Sequence, residues 1–320
     1  MNIVILDGYT LNPGDNPWTP IEAVGDVTAF DRTDPADVTV RGKDADVLVV
    51  NKVRISKEHL QRLPNVKLVA VTATGHDCVD SNAARKKSVL VCNVPVYGTN
   101  SVAQFVFAQI LHLSHHIAQH DAAVREGEWK SRGDFSFSLT PQLELVGKTL
   151  GVVGFGRIGR RVAEIGNAFG MKVIAHTKTE QEAPSYPDFA FVPLEKLARE
   201  SDVISLNCPL THQTNGIINA GFLTRCKPTA FLINSSRGGL LNENDVADAL
   251  AKGQIAGAAL DVVSNEPIGD DNPLLDVSNC VITPHMAWSS LESRQRLMQQ
   301  TADNIAAFKN GEPTNVVNPS

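Results

Sequence analysis

The chain is 320 residues long, 42% hydrophobic and 20% charged, with a formal net charge of -6 at pH 7. That length predicts about two domains of ordinary soluble composition. The negative balance argues against nucleic acid or an anionic membrane as a main partner, and no apolar run approaches the ~18–20 residues that would cross a bilayer.

The start, Met1 to Asp7, lacks the layout of a signal peptide and reads as a first strand over Asn2–Leu6. Further strands are expected at Val27–Phe30, Val47–Val50, Leu68–Val71 and Leu90–Cys92. Helical stretches such as Lys57–Leu63 and Ser81–Lys87 lie between them, so the first ~100 residues predict a small, mostly parallel α/β layer. The unbroken apolar run from Val47 suits a strand covered on both faces. Asn12-Pro13-Gly14 and Asn16-Pro17 mark a loop. One long helix is expected from about Ser101 to Gly127, carried by Val102, Phe105, Val106, Ile110, Leu113 and Ile117. The segment Glu128–Gly147 has no clear period and carries Trp129, Phe135 and Phe137, which suggests a dimer contact.

The apolar run Leu150–Val153 then leads into Gly154-Phe155-Gly156-Arg157-Ile158-Gly159, followed by a helix-period pattern and a second strand, Lys172–His176. Gly154 permits a tight turn, Gly156 lets the backbone approach a pyrophosphate, and Gly159 lets the helix pack close to the strand. Phosphates bind well at the positive end of such a helix. The context, strand before and helix after, reads as a dinucleotide fingerprint. More strands are expected at Phe189–Val192, Val203–Leu206, Ala230–Asn234, Gly257–Asp261 and Val281–Thr283, with helices at Leu194–Arg199, Glu243–Lys252 and about Ser290–Lys309. The fold class is therefore α/β, with two Rossmann-like, doubly wound parallel-sheet domains and the active site expected in the cleft between them. Residues 1–98 plus 291–320 would form the substrate domain and 99–290 the dinucleotide-binding domain.

Three polar residues each follow a predicted strand: Arg237, Glu266 and His285. Reduction of a 2-keto acid needs those types. An arginine grips the substrate carboxylate bidentately, and a histidine gives a proton to the carbonyl oxygen as hydride arrives. A carboxylate on the other imidazole nitrogen orients the ring and favours its protonated form. Any one of them alone reads as a surface or loop residue.

Their contexts are Asn234-Ser235-Ser236-Arg237-Gly238-Gly239, Asp261 to Pro267, and Thr283-Pro284-His285-Met286-Ala287-Trp288. With the glycine fingerprint, they resemble the D-isomer-specific 2-hydroxyacid dehydrogenase family across essentially the whole chain. The stretches Ile5–Gly14, Val71–Asp77 and Asn93–Tyr97 look most like its glycerate dehydrogenase (hydroxypyruvate/glyoxylate reductase) branch. The resemblance implies a homodimer, a nicotinamide cofactor and a catalytic set of Arg237, Glu266 and His285. It further implies a substrate-carboxylate turn at Ala73, Thr74 and Gly75, with Lys52 at a substrate-facing position. Arg157 and Ile158 would meet the pyrophosphate, Cys208 and Pro209 would lie beside the adenine, and Ser236, Arg237 and Asp261 near the nicotinamide. Other readings are a different D-2-hydroxy acid such as phosphoglycerate as substrate, or a dinucleotide-sensing interaction protein.

One position departs from the NAD pattern. An acidic residue normally takes the ribose hydroxyls at the end of the second nucleotide strand. Here Thr177 stands there with Lys178 beside it, and no carboxylate follows until Glu180. That predicts NADP(H) accepted and preferred over NAD(H). The cluster His112, His115, His116 and His120 has zinc-like i,i+4 spacing but lacks the glutamate of H-E-x-x-H, so a packed or solvated helix face is expected and no metal. The five cysteines are scattered without a C-x-x-C, which predicts reduced, buried thiols in a cytoplasmic protein.

Overall fold

The computed structural model describes residues 1–179 and 181–319; Glu180, cited above for the cofactor, lies outside the described residues. The chain divides into two compact units, residues 1–98 with 288–320, and residues 99–287.

The first unit opens with strand β1 (Asn2–Ile5), helix α1 (Thr19–Glu22), β2 (Asp26–Ala29), α2 (Val38–Arg41) and β3 (Val47–Val50). It continues with α3 (Lys57–Arg62), β4 (Leu68–Val71), α4 (Ser81–Lys86) and β5 (Leu90–Cys92). The strands form one sheet, all parallel, in the order β2-β1-β3-β4-β5. This is the doubly wound order typified by flavodoxin. Alternate residues explain why the strands read as unbroken apolar runs. Val4, Leu48, Val50, Val69 and Val71 fill one core, while Ile3, Ile5, Val47, Val49 and Leu68 fill another. Every position of the central strands β3 and β4 is buried, so none needs to be polar, whereas the edge strand β2 is largely exposed and carries Asp26 and Thr28.

The second unit begins with α5 (Thr99–His115), α6 (Ile117–Arg125) and α7 (Glu128–Arg132). The single helix expected over 101–127 is therefore two helices. His116 adopts a left-handed backbone (φ 46°) between them, which interrupts the helix there. The segment after Glu128 also differs from expectation. It opens with one helical turn, α7, bounded by Gly127 (φ 87°) and Gly133 (φ 74°), both left-handed.

Next come β6 (Thr149–Val153), α8 (Arg157–Ala168), β7 (Lys172–His176), β8 (Phe189–Phe191), α9 (Leu194–Glu200) and β9 (Val203–Leu206). They are followed by α10 (Ala220–Leu223), β10 (Phe231–Asn234), α11 (Glu243–Ala251), β11 (Gly257–Leu260) and β12 (Cys280–Ile282). The seven strands are parallel in the order β12-β11-β10-β9-β6-β7-β8. Counted from β6, that is the dinucleotide-binding order 3-2-1-4-5-6 with a seventh strand added. The order reverses between β6 and β9, and ligands in such sheets bind in the crevice beyond that point.

Helices α5 and α8 cover one face through Val106, Phe107, Ile110, Val162 and Ala163. Gly166 brings α8 onto the sheet: a Cβ there would lie 2.5 Å from Leu150 Cδ2. Residues Leu197, Leu223, Val246 and Leu250 cover the other face. At about 1.5–3 kcal/mol per fully buried aliphatic side chain, these layers supply the main stabilisation.

The chain closes with α12 (Leu291–Lys309), which belongs to the first unit. Its Leu297, Met298, Ala302 and Ile305 are buried with β1, β3 and β4. Arg294 on α12 is buried and donates to both carboxylate oxygens of Asp15, at 2.6 and 2.7 Å, and to the Leu11 carbonyl. That hydrogen-bonded guanidinium holds the Asp15 carboxyl below the usual carboxylate range.

Candidate active site

The glycine turn sits at the strand-order reversal. Gly154 has φ 93°, and a Cβ on it would come within 2.6 Å of the Cys208 nitrogen, so the turn after β6 packs directly on the loop after β9. A Cβ on Gly159 would be 2.0 Å from the Gly154 carbonyl oxygen. Gly156, by contrast, would meet nothing within 4 Å, which leaves open space at the amino end of α8. An open approach to the backbone at the positive end of a helix suits a pyrophosphate, and Arg157 and Ile158 form the first helical turn there. The residues present therefore fit a dinucleotide.

Around this turn, Ser236 donates its hydroxyl to the Cys208 carbonyl at 2.8 Å, joining the loops after β9 and β10. Pro209 is exposed beside Cys208. Thr177 and Lys178 follow β7, and the Lys178 ammonium donates to Gln213 Oε1 at 2.6 Å. Gln213 lies on the loop after β9, a partner that strand-end reasoning did not anticipate.

Strands β10, β11 and β12 are neighbours in register, with Asn234 opposite Leu260 and Leu260 opposite Ile282. Arg237, Glu266 and His285 thus leave the carboxyl ends of three consecutive strands. His285 Nδ1 lies 2.7 Å from Glu266 Oε2, with both side chains partly exposed. The second Glu266 oxygen accepts from the Val263 N–H at 3.4 Å. Nδ1 held by a carboxylate carries a proton, which leaves Nε2 as the outward nitrogen. Arg237 donates to the Ser236 carbonyl at 2.7 Å, and the loop that bears it is fixed by buried Asn234, whose amide donates to the Arg237 carbonyl.

Asp261 is 1% exposed and serves this edge as an anchor. Its carboxylate accepts the Thr283 hydroxyl at 2.6 Å and the N–H groups of Met286 and Ala287 at 2.9 and 2.8 Å. Its backbone carbonyl takes the His285 N–H at 2.8 Å. These four bonds hold His285 in the left-handed conformation (φ 52°) that a non-glycine residue rarely adopts. Burial pushes the Asp261 carboxyl above its usual range, while its hydrogen bonds and nearby His285 pull the other way.

In the first unit, Lys52 and the Ala73–Gly75 turn follow β3 and β4, which pair through Val50 and Val71. The Asp7 carboxylate accepts the N–H groups of Asn51, Lys52 and Val53 at 2.7, 2.5 and 2.8 Å, and the Lys52 side chain is exposed. Thr74 donates to the Val94 carbonyl, and Asn93 donates its amide to the Thr74 carbonyl.

The histidines of the cluster make ordinary helix-face contacts, the His112 and His116 rings lying 5.9 Å apart. His120 bonds the His116 carbonyl through Nδ1 and accepts the Leu139 N–H at Nε2, while His115 pairs with Gln142. Among the described residues, no group of three His, Cys, Asp or Glu is arranged to hold a metal ion. All five cysteines are free; Cys92 and Cys208 are buried, and the other three are only partly so. Burial raises the Cys78 and Cys92 thiols to about 11 and those of Cys226 and Cys280 to about 12. No helix among the described residues is long and apolar enough to cross a membrane.

Comparison with known proteins matches residues 107–287 to the NAD binding domain of the D-isomer specific 2-hydroxyacid dehydrogenases. A hydroxypyruvate reductase of Blautia hydrogenotrophica is 45% identical over 321 residues, covering 99% of this chain and 100% of the relative. Among solved structures, an acyclic imino acid reductase in complex with NADPH and D-Arg is 31% identical. It covers 99% of this chain and 100% of its own, with a TM-score of 0.83. A D-lactate dehydrogenase from Aquifex aeolicus, complexed with NAD and lactic acid, is 29% identical over the full length of both chains, with a TM-score of 0.85.

Strand-end reasoning overlooked Gly238. A Cβ there would lie 1.9 Å from the Val263 carbonyl carbon and 2.4 Å from the Ser264 nitrogen, so the turn after Arg237 presses on the root of the Glu266 loop. Gly238→Ala must move one backbone or the other. The expected cost is about 1–3 kcal/mol in urea unfolding; a variant as stable as the parent would show that the two loops are not in close contact.

Proposed function

The chain belongs to the D-isomer specific 2-hydroxyacid dehydrogenase family, and on that premise we propose that it reduces hydroxypyruvate or glyoxylate to D-glycerate or glycolate. The observation that carries this reading is the 2.7 Å pair of His285 and Glu266, with Arg237 leaving the end of an adjoining strand of the same dinucleotide-binding sheet. The full-length likeness to a hydroxypyruvate reductase supports the choice of substrate.

A bound NAD(P)H supplies the hydride. Arg237 takes the substrate carboxylate, its planar fork matching the two oxygens. His285 donates the proton from Nε2 to the carbonyl oxygen, and Glu266 holds the ring in orientation through Nδ1. The Ala73–Gly75 turn offers backbone N–H groups to the same substrate class, and Lys52 is assigned to the substrate as well. Gly154, Gly156, Arg157, Ile158 and Gly159 cradle the pyrophosphate, with Cys208 and Pro209 at the adenine and Ser236 and Asp261 at the nicotinamide. Thr177 and Lys178 favour a 2′-phosphate, since no carboxylate stands at their positions to repel it. The Lys178 bond to Gln213 is consistent with an ammonium held over the loops that flank the adenosine.

We further assign a homodimer. Ile117, Trp129, Phe135 and Val146, between 46% and 94% exposed, lie along the segment 117–147. Isolated exposed residues are ordinary, but several on one segment mark an interaction surface. Sedimentation should give a dimer that Phe135→Asp with Trp129→Ser weakens; a monomeric parent contradicts the assignment.

Oxidation of NADPH and NADH with hydroxypyruvate, glyoxylate, pyruvate and a phosphorylated analogue tests the main reading. Fast turnover on the first two with a preference for NADPH is expected, and a strong NADH preference would sink the cofactor assignment. His285→Ala should lose most of kcat, whereas Arg237→Ala should chiefly raise KM; near-native turnover by His285→Ala refutes the catalytic role.

A further inference from the structure

Glu243 is the first residue of α11, where a carboxylate ordinarily does no more than complement the helix dipole from solvent. Here both of its oxygens are committed elsewhere. Oε1 accepts the Ser264 N–H at 2.6 Å, and Oε2 accepts the Asn272 side-chain amide at 3.0 Å. Ser264 and Asn272 bracket the loop that carries Glu266. Asn272 is itself fixed, because its Oδ1 accepts the Leu274 N–H and its backbone N–H reaches the Gly269 carbonyl. The loop is thus pinned at both ends by one carboxylate, in addition to the close approach of Gly238 to Val263 and Ser264.

We propose that Glu243 is a positioning residue for the Glu266–His285 pair, acting by holding the 264–272 loop so that Glu266 Oε2 stays on His285 Nδ1. The inference rests on the proposed roles of Glu266 and His285. It also accounts for a structural economy: α11 follows the Arg237 loop, so one short helix start ties the arginine-bearing turn to the carboxylate-bearing loop. Loosening the loop lengthens the Glu266–His285 contact and weakens the charged form of the imidazole. The charged groups that bear on the imidazole are Glu266 and buried Asp261 at the end of β11, while Arg237 leaves the end of the neighbouring strand β10. Asp270 and Asp271 lie on the Glu266 loop itself, and Asp245 is turned to the Ala220 N–H at 2.8 Å.

The sign follows from the direction of proton transfer. Keto-acid reduction needs protonated His285, so activity falls as pH rises through the imidazole pKa, and weaker support from Glu266 moves that fall to lower pH. The test is the pH profile of kcat/KM for reduction by the parent, Glu266→Gln, Glu243→Gln, Glu243→Ala and the double variant Glu243→Gln/Glu266→Gln. Glu266→Gln should move the alkaline limb to lower pH. Glu243→Gln, which faces a donor toward the Asn272 amide, should move it by a smaller amount, and Glu243→Ala by more than Glu243→Gln. The double variant should lie no lower than Glu266→Gln alone, because both changes act through one contact.

Binding of the reduced dinucleotide, read by fluorescence, should stay within about twofold of the parent for the Glu243 variants, since a tenfold change would already mean 1.4 kcal/mol. If Glu243→Ala fails to fold, Asn272→Asp serves instead: it keeps an acceptor for Leu274 but sets a carboxylate against Glu243, and the same downward shift is expected. Glu243 and Asn272 variants that lose thermal stability yet keep the parent limb would overturn the inference and leave Glu243 a purely structural residue. A Glu266→Gln enzyme with an unmoved limb would instead overturn the reading of the pair itself, and the inference with it.

Discussion

A buried carboxylate governs the functional edge of the second unit. Asp261 ends β11, is almost fully removed from solvent, and spends its oxygens on the Thr283 hydroxyl and two N–H groups of the segment after β12. Within its own loop the His285 N–H reaches only the Thr283 carbonyl, at 3.0 Å, so the bonds to Asp261 are what tie the left-handed backbone of His285 to the sheet. A desolvated carboxylate is costly unless its lone pairs are used. The chain meets that requirement by making the histidine loop its hydrogen-bond partner. Stability and placement of the imidazole are thereby the same set of interactions.

The sheet order sets what Asp261 can organise. Neighbouring parallel strands deliver their loops to one edge, so β10, β11 and β12 offer an arginine, a carboxylate and an imidazole side by side. The glycine turn after β6 lies at the reversal of strand order, where Gly154 rests on Cys208. Hydrogen bonds then link successive loops, Ser236 to Cys208 and Glu243 to Ser264 and Asn272, while Asn234 braces the Arg237 loop from within. Each loop is thus fixed to the next rather than left to its own conformational entropy, and preorganisation of this kind is what positions groups for transfer chemistry.

The strands were legible because a sheet covered on both faces leaves apolar runs such as Val47–Val50 and Leu68–Val71, and the glycine fingerprint because its three glycines answer three distinct steric demands. Arg237, Glu266 and His285 were legible as strand-end residues. The break at His116 was not, since neither glycine nor proline marks it and the apolar spacing from Val102 to Ile117 continues across it. Asp261 reads in sequence as the end of a strand and, by resemblance, as a neighbour of the nicotinamide, but not as the anchor of the histidine loop, and Glu243 reads only as an acidic helix start. Their partners lie on other loops, Thr283 to Ala287 for one, Ser264 and Asn272 for the other. Lys178 and Gln213 illustrate the same limit: local pattern places a residue at a strand end, while its partner is set by which strands adjoin.

The most direct measurement is the configuration of the product. Hydroxypyruvate reduced with the protein and NADPH or NADH should give glycerate that a chiral column resolves as the D enantiomer, in step with the dinucleotide consumed. L-glycerate, a racemic mixture, or dinucleotide binding without any glycerate would contradict the account.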